Sequence, residues 1–396
     1  MPGSGYSSDV PDVPSLSQVL ELLEERADPA TAEEWDRVGL VCGDPQHPVA
    51  TVRFAVDATP TVVDEAIAAQ VDLLVTHHPL LLRGVHSIAT TSSRGRSLTQ
   101  LVRGDCALFT MHTNVDQAAG GVSDALADAI GMRTRDRRPI RPLPTESLKR
   151  LVVHVPESAA ENLVAALAAA GAGQLGSYDS CAYWVDGVGQ FRPLPGAEPH
   201  IGSVNEVTHV SERRIEMIIP EGRLSGAVAA LRSAHPYEEP AFSIVDSVAL
   251  PTATGVGRFG PVETTTVGDL AVRIAESLPA NAAGVRVAGN PDRPVHTAAV
   301  CGGAGDSLLA DVATLGVDAY VTSDLRHHPA LDFVCDNDAA LIDIPHASGE
   351  SLWLRQWADQ LARDARDRGW TLATTTHPTT TDPWTMHVAT PTEGPR

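Results

Sequence analysis

Short apolar runs, each about as long as one buried strand, alternate along most of this chain with segments of helical periodicity. The run at 52–57 is followed by Thr59 and Pro60, a favourable helix start, and the helix at 60–69 leads to another strand at 71–76. Strands joined by helices in this way form a parallel sheet with helices on both faces. We therefore predict an α/β fold with a mostly parallel sheet.

The alternation has a central interruption. Between residues 148 and 250 the pattern changes to β-α-β-β-α-β, which predicts a ferredoxin-like unit of about 100 residues. We predict two domains, a discontinuous α/β domain at 1–147 and 251–396 and an inserted α+β domain at 148–250. Outside the insertion, the pattern also predicts helices at 97–103, 121–130 and 267–278, strands at 107–111, 297–301, 317–322 and 340–344, and a final helix from residue 348.

Charge and cysteine content limit the partners and the compartment. A net charge of −21 argues against a nucleic-acid groove and against binding to an anionic membrane surface. No run approaches 18 consecutive apolar residues, so we expect no membrane span. The five cysteines are scattered, without a Cys-x-x-Cys pair, and the N-terminus lacks a signal-peptide pattern. These features predict a soluble cytoplasmic protein.

Five potential metal ligands follow apolar runs that have the character of buried strands. In open α/β sheets, binding sites form beyond the carboxyl ends of the strands. Three imidazoles and two carboxylates placed there predict a site for one or two divalent cations. The five residues are His77, His78, Asp116, His346 and Glu350.

Each ligand candidate also has a simpler structural interpretation. The pair His77 and His78, taken alone, would cap a strand end as readily as bind a metal. Glu350 in the first turn of a helix would complement the helix dipole, and a single Asp116 at a strand end is usually a turn residue. Their joint occurrence at strand ends favours the metal site.

Other polar residues at strand ends leave alternatives open. His112 and His328 could transfer a proton or contact a substrate, and polar loop residues satisfied by the backbone are an equally good interpretation. The glycine-rich segment 301–305 could bind an anion at a helix start or simply form a sharp turn. The threonine-rich stretch 374–381 predicts an edge strand or a loop.

Five motifs, in their order along the chain, resemble the Nif-three-like family of GTP cyclohydrolase 1 type 2 homologs. The similarity runs from about residue 15 to Pro383, and the motifs are Glu34–Leu40, Val75–Leu80, His112–Asp116, Gly316–Asp324 with His328, and Asp343–Glu350. The resemblance implies a dinuclear metal site, and its ligands carry over onto His77, His78, Asp116, His346 and Glu350. Mixed imidazole and carboxylate ligands suit zinc, iron, manganese or nickel.

The inserted segment resembles that of the longer family members. Its motifs at 176–181, 189–193, 212–216 and 235–240 look like their PII/CutA-like domain. Those members form toroidal hexamers, so the resemblance implies a homohexamer with metal sites facing an internal cavity. Arg37, Ser323 and Pro345 stand where the family usually has Asn, Gly and Gly. None of the three is a ligand, and the first two could alter which substrate fits.

These inferences lead to one main functional hypothesis. Two divalent cations would lower the pKa of a water that attacks C8 of the guanine ring of GTP, and ring opening would release formate. Glu350 or Asp116 would hold the water, and His328 or His112 would protonate a ring nitrogen. Two alternatives stay open: a two-metal phosphoester hydrolase acting on another nucleotide or small molecule, and a non-enzymatic metal-binding or regulatory protein whose insertion senses a ligand.

Overall fold

The structure, a computed structural model, describes residues 12–143, 148–175, 178–247 and 252–389. The described chain divides into two compact units. One comprises the described parts of Met1–Leu143 and Thr252–Arg396, and the other comprises those of Pro144–Pro251. Within the described residues, no helix combines the length and the apolar character needed to cross a bilayer.

The helices and strands are numbered in chain order. The described α-helices are α1 Leu16–Glu24, α2 Pro60–Ala68, α3 Ser93–Arg103, α4 Thr113–Gln117, α5 Val122–Ala129, α6 Ala160–Ala169, α7 Leu224–Ala234, α8 Val267–Ser277, α9 Leu309–Leu315, α10 His327–Asp336, α11 His346–Glu350 and α12 Leu352–Asp367. The described strands are β1 Gly39–Cys42, β2 Thr51–Ala55, β3 Leu73–Thr76, β4 Ala107–Thr110, β5 Arg141–Pro142, β6 Leu148–Pro156, β7 Ala182–Phe191, β8 Thr208–Pro220, β9 Phe242–Asp246, β10 Gly255–Val256, β11 Arg258–Thr266, β12 Arg286–Ala288, β13 Pro294–Ala304, β14 Ala319–Ser323, β15 Ala340–Asp343 and β16 Ala373–Thr376.

The first unit contains two five-stranded sheets. The first sheet has the order β1-β4-β3-β2-β16 and is parallel except for β1. The second has the order β11-β13-β14-β15-β12, and only its three central strands are parallel. The α/β prediction is confirmed, but a single mostly parallel sheet is wrong for this unit, whose described residues form these two large sheets, the second of them mixed, and a two-stranded antiparallel pair, β10 with β5. A β–α pattern predicts strand direction without showing which sheet each strand joins.

Helices cover both faces of each sheet. In the first sheet, α1 and α12 pack on the face that carries Phe54 and Phe109, while α2 and α3 pack on the face of Leu74 and Leu108. In the second sheet, α5 and α8 cover one face and α9 and α10 the other. Helix α5 contributes to a core of each sheet and therefore joins the two sheets.

The second unit is a four-stranded antiparallel sheet with two helices. Its strand order is β7-β8-β6-β9, and α6 and α7 pack on one face through a core that includes Leu151, Leu163, Ile215 and Leu231. Along the chain the elements follow the β-α-β-β-α-β order that the sequence predicts. The two long hydrogen-bonded ladders, β7 with β8 and β6 with β8, make this unit self-contained.

Local sequence signals explain where several helices begin. The side chain of Thr59 caps α2 by accepting the Val62 N–H, and Pro60 occupies the first helical turn, as expected. The predicted final helix from residue 348 is instead two helices, α11 and α12, that meet at Ser351. Helix α11 has no capping side chain from its own N-cap residue, Pro345.

Candidate metal centre

Four histidine rings meet where strands of the two five-stranded sheets end. His77 and His78 follow β3, His112 follows β4, and His346 opens α11 just after β15. The ring centroids of adjacent pairs are 5.0–5.6 Å apart. Both sheets therefore supply side chains to one cluster at their carboxyl ends.

Each of these histidines is held through its Nδ1 atom. The acceptors are Met111 O for His77 at 3.0 Å, Asp57 Oδ1 for His78 at 2.8 Å, Asp36 Oδ1 for His112 at 2.8 Å, and Asp324 Oδ2 for His346 at 2.7 Å. Carbonyl and ionised carboxylate oxygens only accept hydrogen bonds, so Nδ1 carries the proton in each pair. A neutral ring held this way presents the lone pair of Nε2, which is the arrangement of a metal-ligating histidine.

Glu350 lies at the middle of the converging Nε2 atoms. Its Oε1 is 3.0 Å from His346 Nε2 and 3.3 Å from His77 Nε2, and its Oε2 is 2.9 Å from His78 Nε2. Asp116 approaches from the other side, with Oδ1 3.7 Å from His77 Nε2. The structure thus brings together all five predicted ligands, and His112 joins them.

Two overlapping sets of potential ligand atoms can be distinguished in the cluster. In each set the ligand atoms lie within 4.8 Å of one another, and the sets are His77, His78 and His112, and His78, His346 and Glu350. His78 belongs to both. Imidazole nitrogens and a carboxylate at these separations suit a divalent transition metal.

Buried atoms without hydrogen-bond partners support this interpretation. His77 is fully buried, and its Nε2 has no hydrogen-bond partner among the described residues; the same holds for Asp116 Oδ1. Buried polar atoms are normally satisfied, because an unsatisfied one costs about 1–3 kcal/mol. A cation would satisfy both atoms at once, so the residues present fit a metal.

The carboxylates of the cluster have opposite pKa shifts. Burial would raise the pKa of Glu350, but the adjacent His77 and His78 hold it well below the usual range. Burial, reinforced by the charge of Glu350, raises the pKa of Asp116 well above the usual range. Without a cation, the pocket therefore tolerates one carboxylate charge and disfavours the second.

Two histidines bind protons tightly in the metal-free cluster. Burial would lower the pKa of His78, but Glu350 and Asp57 raise it to about 11. Burial opposes protonation of His346 as well, and Glu350 raises its pKa to about 9. Burial lowers the pKa of His77. Positive charge is favoured on the side of the cluster where Glu350 faces His78 and His346.

Helix α4 carries His112 and Asp116 on one face. His112 is its N-cap, and Asp116 comes one turn later, with its N–H bonded to His112 O. Asp36 is buried and accepts from the Thr113 N–H at 3.0 Å and the Thr113 hydroxyl at 2.5 Å, besides holding His112. Asp36 therefore anchors the start of α4 and the His112 ring together.

The glycine-rich end of β13, after an irregularity that begins at Val300, packs against Glu350. Gly303 has a φ of 67°, and a Cβ atom there would collide with Glu350 Oε1. A glycine is needed because the backbone is left-handed and the carboxylate lies against it. The sharp turn that the sequence suggested for 301–305 is wrong, because residues 301–304 continue β13, and this strand end borders the histidine cluster.

His328 is not brought into the cluster. It lies exposed in the first turn of α10, and its ring contacts that of His327 with centroids 5.1 Å apart. Within the described residues, no hydrogen bond, ion pair or ring contact joins His328 to the four clustered histidines. Its proposed proton-transfer role remains a prediction.

Three carboxylates of the site were assigned no role from the sequence. They are Asp36, Asp57 and Asp324, which orient His112, His78 and His346. Two of them carry the same signal as the ligands, because Asp57 and Asp324 directly follow β-strand runs. Asp324 also has a left-handed φ of 56°, a conformation that Asp tolerates better than most residues.

The sequence matches the profile of a family described as Duf34/NIF3 (NGG1p interacting factor 3) over residues 14–383. A Mycobacterium tuberculosis protein named GTP cyclohydrolase 1 type 2 homolog is 45% identical, over 94% of this chain and 97% of its own length. A Bacillus subtilis protein of the same name is 37% identical, over 80% of this chain and 84% of its own.

Solved structures show the same similarity. A Bacillus cereus protein related to NIF3 has a TM-score of 0.69 at 32% identity, covering 95% of this chain and 100% of that one. The Staphylococcus aureus protein SA1388 has a TM-score of 0.77 at 26% identity, covering 95% of this chain and 99% of that one. The similarity spans both units of the chain.

Proposed function

Because the chain belongs to the Duf34/NIF3 family, we propose that it is a metal-dependent hydrolase whose substrate is a nucleotide such as GTP. The observation that carries the proposal is the convergence of three Nε2 atoms on the buried carboxylate of Glu350, with Asp116 and His112 beside them, at the carboxyl ends of two sheets. The name of the relatives, GTP cyclohydrolase 1 type 2 homolog, directs the choice of reaction. Opening of the guanine ring with release of formate is the reaction we propose.

We propose two cations for each subunit. The ligands would be His77, His78, Asp116, His346 and Glu350. Two overlapping ligand sets and the central position of Glu350 support two cations over one. Zinc, iron, manganese and nickel all suit this mixture of nitrogen and oxygen ligands. Bound divalent cations supply Lewis acidity and a water of lowered pKa.

The residues of the chain then have separate roles. Glu350 and Asp116 hold the attacking water through their carboxylates and orient it. His112, fixed by Asp36 through Nδ1, directs Nε2 toward the cluster and is placed to exchange a proton with a ring nitrogen of the substrate. Asp36 thus acts on His112 as an orienting group and does not itself touch the substrate.

A cavity beside the cluster is large enough for a nucleotide. It has a volume of about 1030 Å³ and is bordered by His78, His346, Arg286 and Trp384. Arg286 is the only Lys or Arg among its described lining residues, and it is paired with Asp343 at 2.9 Å. Few side chains are therefore free to neutralise a triphosphate. We propose that the cations take that role and that an aromatic base packs against the exposed Trp384.

A second reaction fits the same residues. Hydrolysis of a phosphate ester uses two cations that activate water and stabilise the leaving oxygen. The overlapping ligand sets that share His78 support this reaction as well as they support ring opening. A metal-binding regulatory protein without turnover is the remaining alternative.

We also propose that the second unit is a PII/CutA-like module and that the chain forms a homohexamer. The β7-β8-β6-β9 sheet with both helices on one face supports the module. The other sheet face carries exposed side chains, including Tyr183, Val185 and Val245, that a partner subunit would cover. Size measurement by light scattering tests the hexamer directly.

Formate release and product mass spectrometry test the reaction. The protein is loaded separately with zinc, manganese and iron and offered GTP, with Glu350→Gln as the control. Ring-opened product from the parent and none from the variant is the expected result. Orthophosphate from the parent would instead support phosphoester hydrolysis. Absence of turnover with every metal would leave a metal-binding protein and refute the hydrolase proposal for GTP.

A further inference from the structure

The threonine-rich stretch near the C-terminus lies against the metal cluster. Strand β16 at Ala373–Thr376 is an edge strand parallel to β2, as the sequence predicts in part. The chain then continues along the end of β2, where the His377 N–H donates to Phe54 O at 2.7 Å. Residues 380–382 follow, and we call them the strap. The strap lies next to both sequence regions that supply His78 and His346.

Asp382 of the strap occupies the start of helix α11. Its carboxylate accepts from the Ala347 N–H at 3.2 Å and the Ser348 N–H at 3.1 Å, and it also accepts from the Ser348 hydroxyl. Helix α11 has no side-chain cap of its own, so Asp382 satisfies amides that would otherwise lack a partner in the helix. This helix carries His346 and Glu350, so Asp382 fixes the backbone from which both project.

Thr381 reaches the other half of the cluster. Its hydroxyl donates to Asp57 Oδ2, while Asp57 Oδ1 accepts from His78 Nδ1 at 2.8 Å. The hydrogen bond from Thr381 occupies the second oxygen of Asp57 and leaves the first directed at His78. Two adjacent residues of the strap therefore reach both parts of the cluster. Thr381 bonds to Asp57, which orients His78, and Asp382 bonds to the first turn of α11.

We propose that Asp382 and Thr381 are positioning residues of the metal centre. They set its affinity for divalent cations by fixing the position of α11 relative to the Asp57–His78 pair. The inference rests on the proposed function, because it presupposes that the cluster binds metal. Neither residue is among the proposed ligands. Groups that orient metal ligands typically change metal affinity by about 10- to 100-fold when removed.

The same chain provides a matched control for Asp382. Asp318 accepts from the His296 and Thr297 N–H groups at 2.9 and 3.0 Å and from the Thr297 hydroxyl at 3.1 Å. Asp382 likewise accepts from two amides and a hydroxyl, and it has one further donor, the Thr380 hydroxyl at 3.0 Å. Asp318 precedes β14, whereas Asp324 and the cluster lie beyond the other end of that strand. Removing Asp318 therefore breaks two amide hydrogen bonds and one hydroxyl hydrogen bond of the same kind without touching the site.

The test measures cobalt binding by the full-length protein. Metal-free parent, Asp382→Ala, Thr381→Val and Asp318→Ala are titrated with Co²⁺ while visible absorption and melting temperature are recorded. We expect Asp382→Ala to bind Co²⁺ about 10- to 100-fold more weakly and to change the absorption band. Thr381→Val should weaken binding in the same direction, and Asp318→Ala should lower the melting temperature with unchanged Co²⁺ affinity.

Equal Co²⁺ affinity in Asp382→Ala and the parent would overturn the inference, and so would an equal loss in Asp382→Ala and Asp318→Ala. If Asp382→Ala does not fold, Asp382→Asn and Thr381→Val decide. Asn retains one acceptor oxygen, so we expect an intermediate affinity, and parental affinity in both variants would refute the strap's role. A parent that binds no Co²⁺ would refute the proposed metal site itself, which distinguishes the two failures.

Discussion

At the scale of single residues, the orientation of the histidines depends on their Nδ1 partners. Asp57 and Asp324 are charged acceptors that stand at strand ends and direct His78 and His346 toward Glu350. His77 uses a backbone carbonyl instead, which suits a ring that is fully buried. The carboxylate that holds His112, Asp36, is itself buried, and the Thr113 N–H and hydroxyl compensate its charge.

The raised pKa values predict how metal affinity varies with pH. His78, with a pKa of about 11, and His346, with a pKa of about 9, hold protons at pH 7 in the metal-free protein. Those protons must leave before Nε2 can bind a cation, so we expect metal affinity to increase as pH rises from about 6 to 9. Calorimetry in buffers of different ionisation enthalpy measures the released protons. Affinity independent of pH, without proton release, would contradict this expectation.

Gly303 offers a substitution that moves a ligand without replacing one. In Gly303→Ala the new methyl group would displace the Glu350 carboxylate, so we expect metal affinity to fall by at least tenfold. The left-handed backbone adds a cost of roughly 1–2 kcal/mol in stability. Metal titration and chemical denaturation measure the two effects.

Gly316→Ala is the matched control for Gly303→Ala. Gly316 has a φ of 64°, close to the 67° of Gly303, but a Cβ atom there meets nothing within 4 Å. We expect a similar loss of stability and unchanged metal affinity. An equal loss of affinity in both variants would show that backbone strain, rather than contact with Glu350, is responsible.

The proposed ligands were more predictable from sequence than the groups that orient them. His77, His78 and Glu350 follow apolar runs, and strand ends in an α/β fold converge regardless of distance along the chain. The pairing of Asp36 with His112 requires two loops, 76 residues apart, to approach each other. No local pattern encodes that approach, because it depends on how β1 and β4 pair.

At the scale of elements, two short helices carry much of the site. Helices α4 and α11 have five residues each, too few to be stable by themselves. Each is held at its start by a carboxylate from elsewhere in the chain, α4 by Asp36 and α11 by Asp382. The single helix expected from residue 348 was wrong because the apolar periodicity of α12 hides the break at Ser351.

Arg258 joins β11 to the region that follows α4. It is buried, binds both oxygens of Asp124 at 3.0 Å, and donates to Ala118 O at 2.9 Å. In Arg258→Met the Asp124 carboxylate would lose this partner inside the protein. We expect a loss of about 3–5 kcal/mol in the free energy of unfolding, measured by urea denaturation.

Arg26→Met is the comparison for Arg258→Met. Arg26 makes a similar two-bond contact with Asp364, but its side chain is 38% exposed. We expect a loss of no more than about 1 kcal/mol, since exposed ion pairs contribute little. Equal effects of the two substitutions would mean that burial does not determine the contribution of Arg258.

At the scale of the whole molecule, the sequence predicts the order of strands better than their grouping. The chain leaves the first unit after Leu143 and returns at Thr252, and all five strands of the second sheet follow that return. Continuation of the first sheet and formation of a second one produce the same β–α pattern. Tertiary packing distinguishes the two arrangements. In the structure, the apolar residues of helix α5 pack on both sheets.

Metal binding should stabilise one unit and leave the other unchanged. All the proposed ligands belong to the first unit, and the core around Leu163 and Ile215 belongs to the second. At a metal concentration 100 times Kd, we expect about 2.7 kcal/mol of added stability in the first unit. Amide hydrogen exchange, measured separately in the two units, tests this. We expect metal to slow exchange in α4 and α11 and to leave the exchange rate in α6 unchanged. Equal slowing in both units would contradict it.

The placement of the proposed ligands on two sheets has a consequence for how the protein is made. His346 lies 268 residues after His78, so a growing chain displays the first two histidines long before their counterparts exist. Chains fold from the N-terminus as the ribosome extends them, and the nascent first sheet offers only part of a site. The ligand set of His78, His346 and Glu350 can therefore form only when translation is nearly complete. Completion of the proposed site is then a late step of maturation, and a polypeptide terminated before His346 would lack that set.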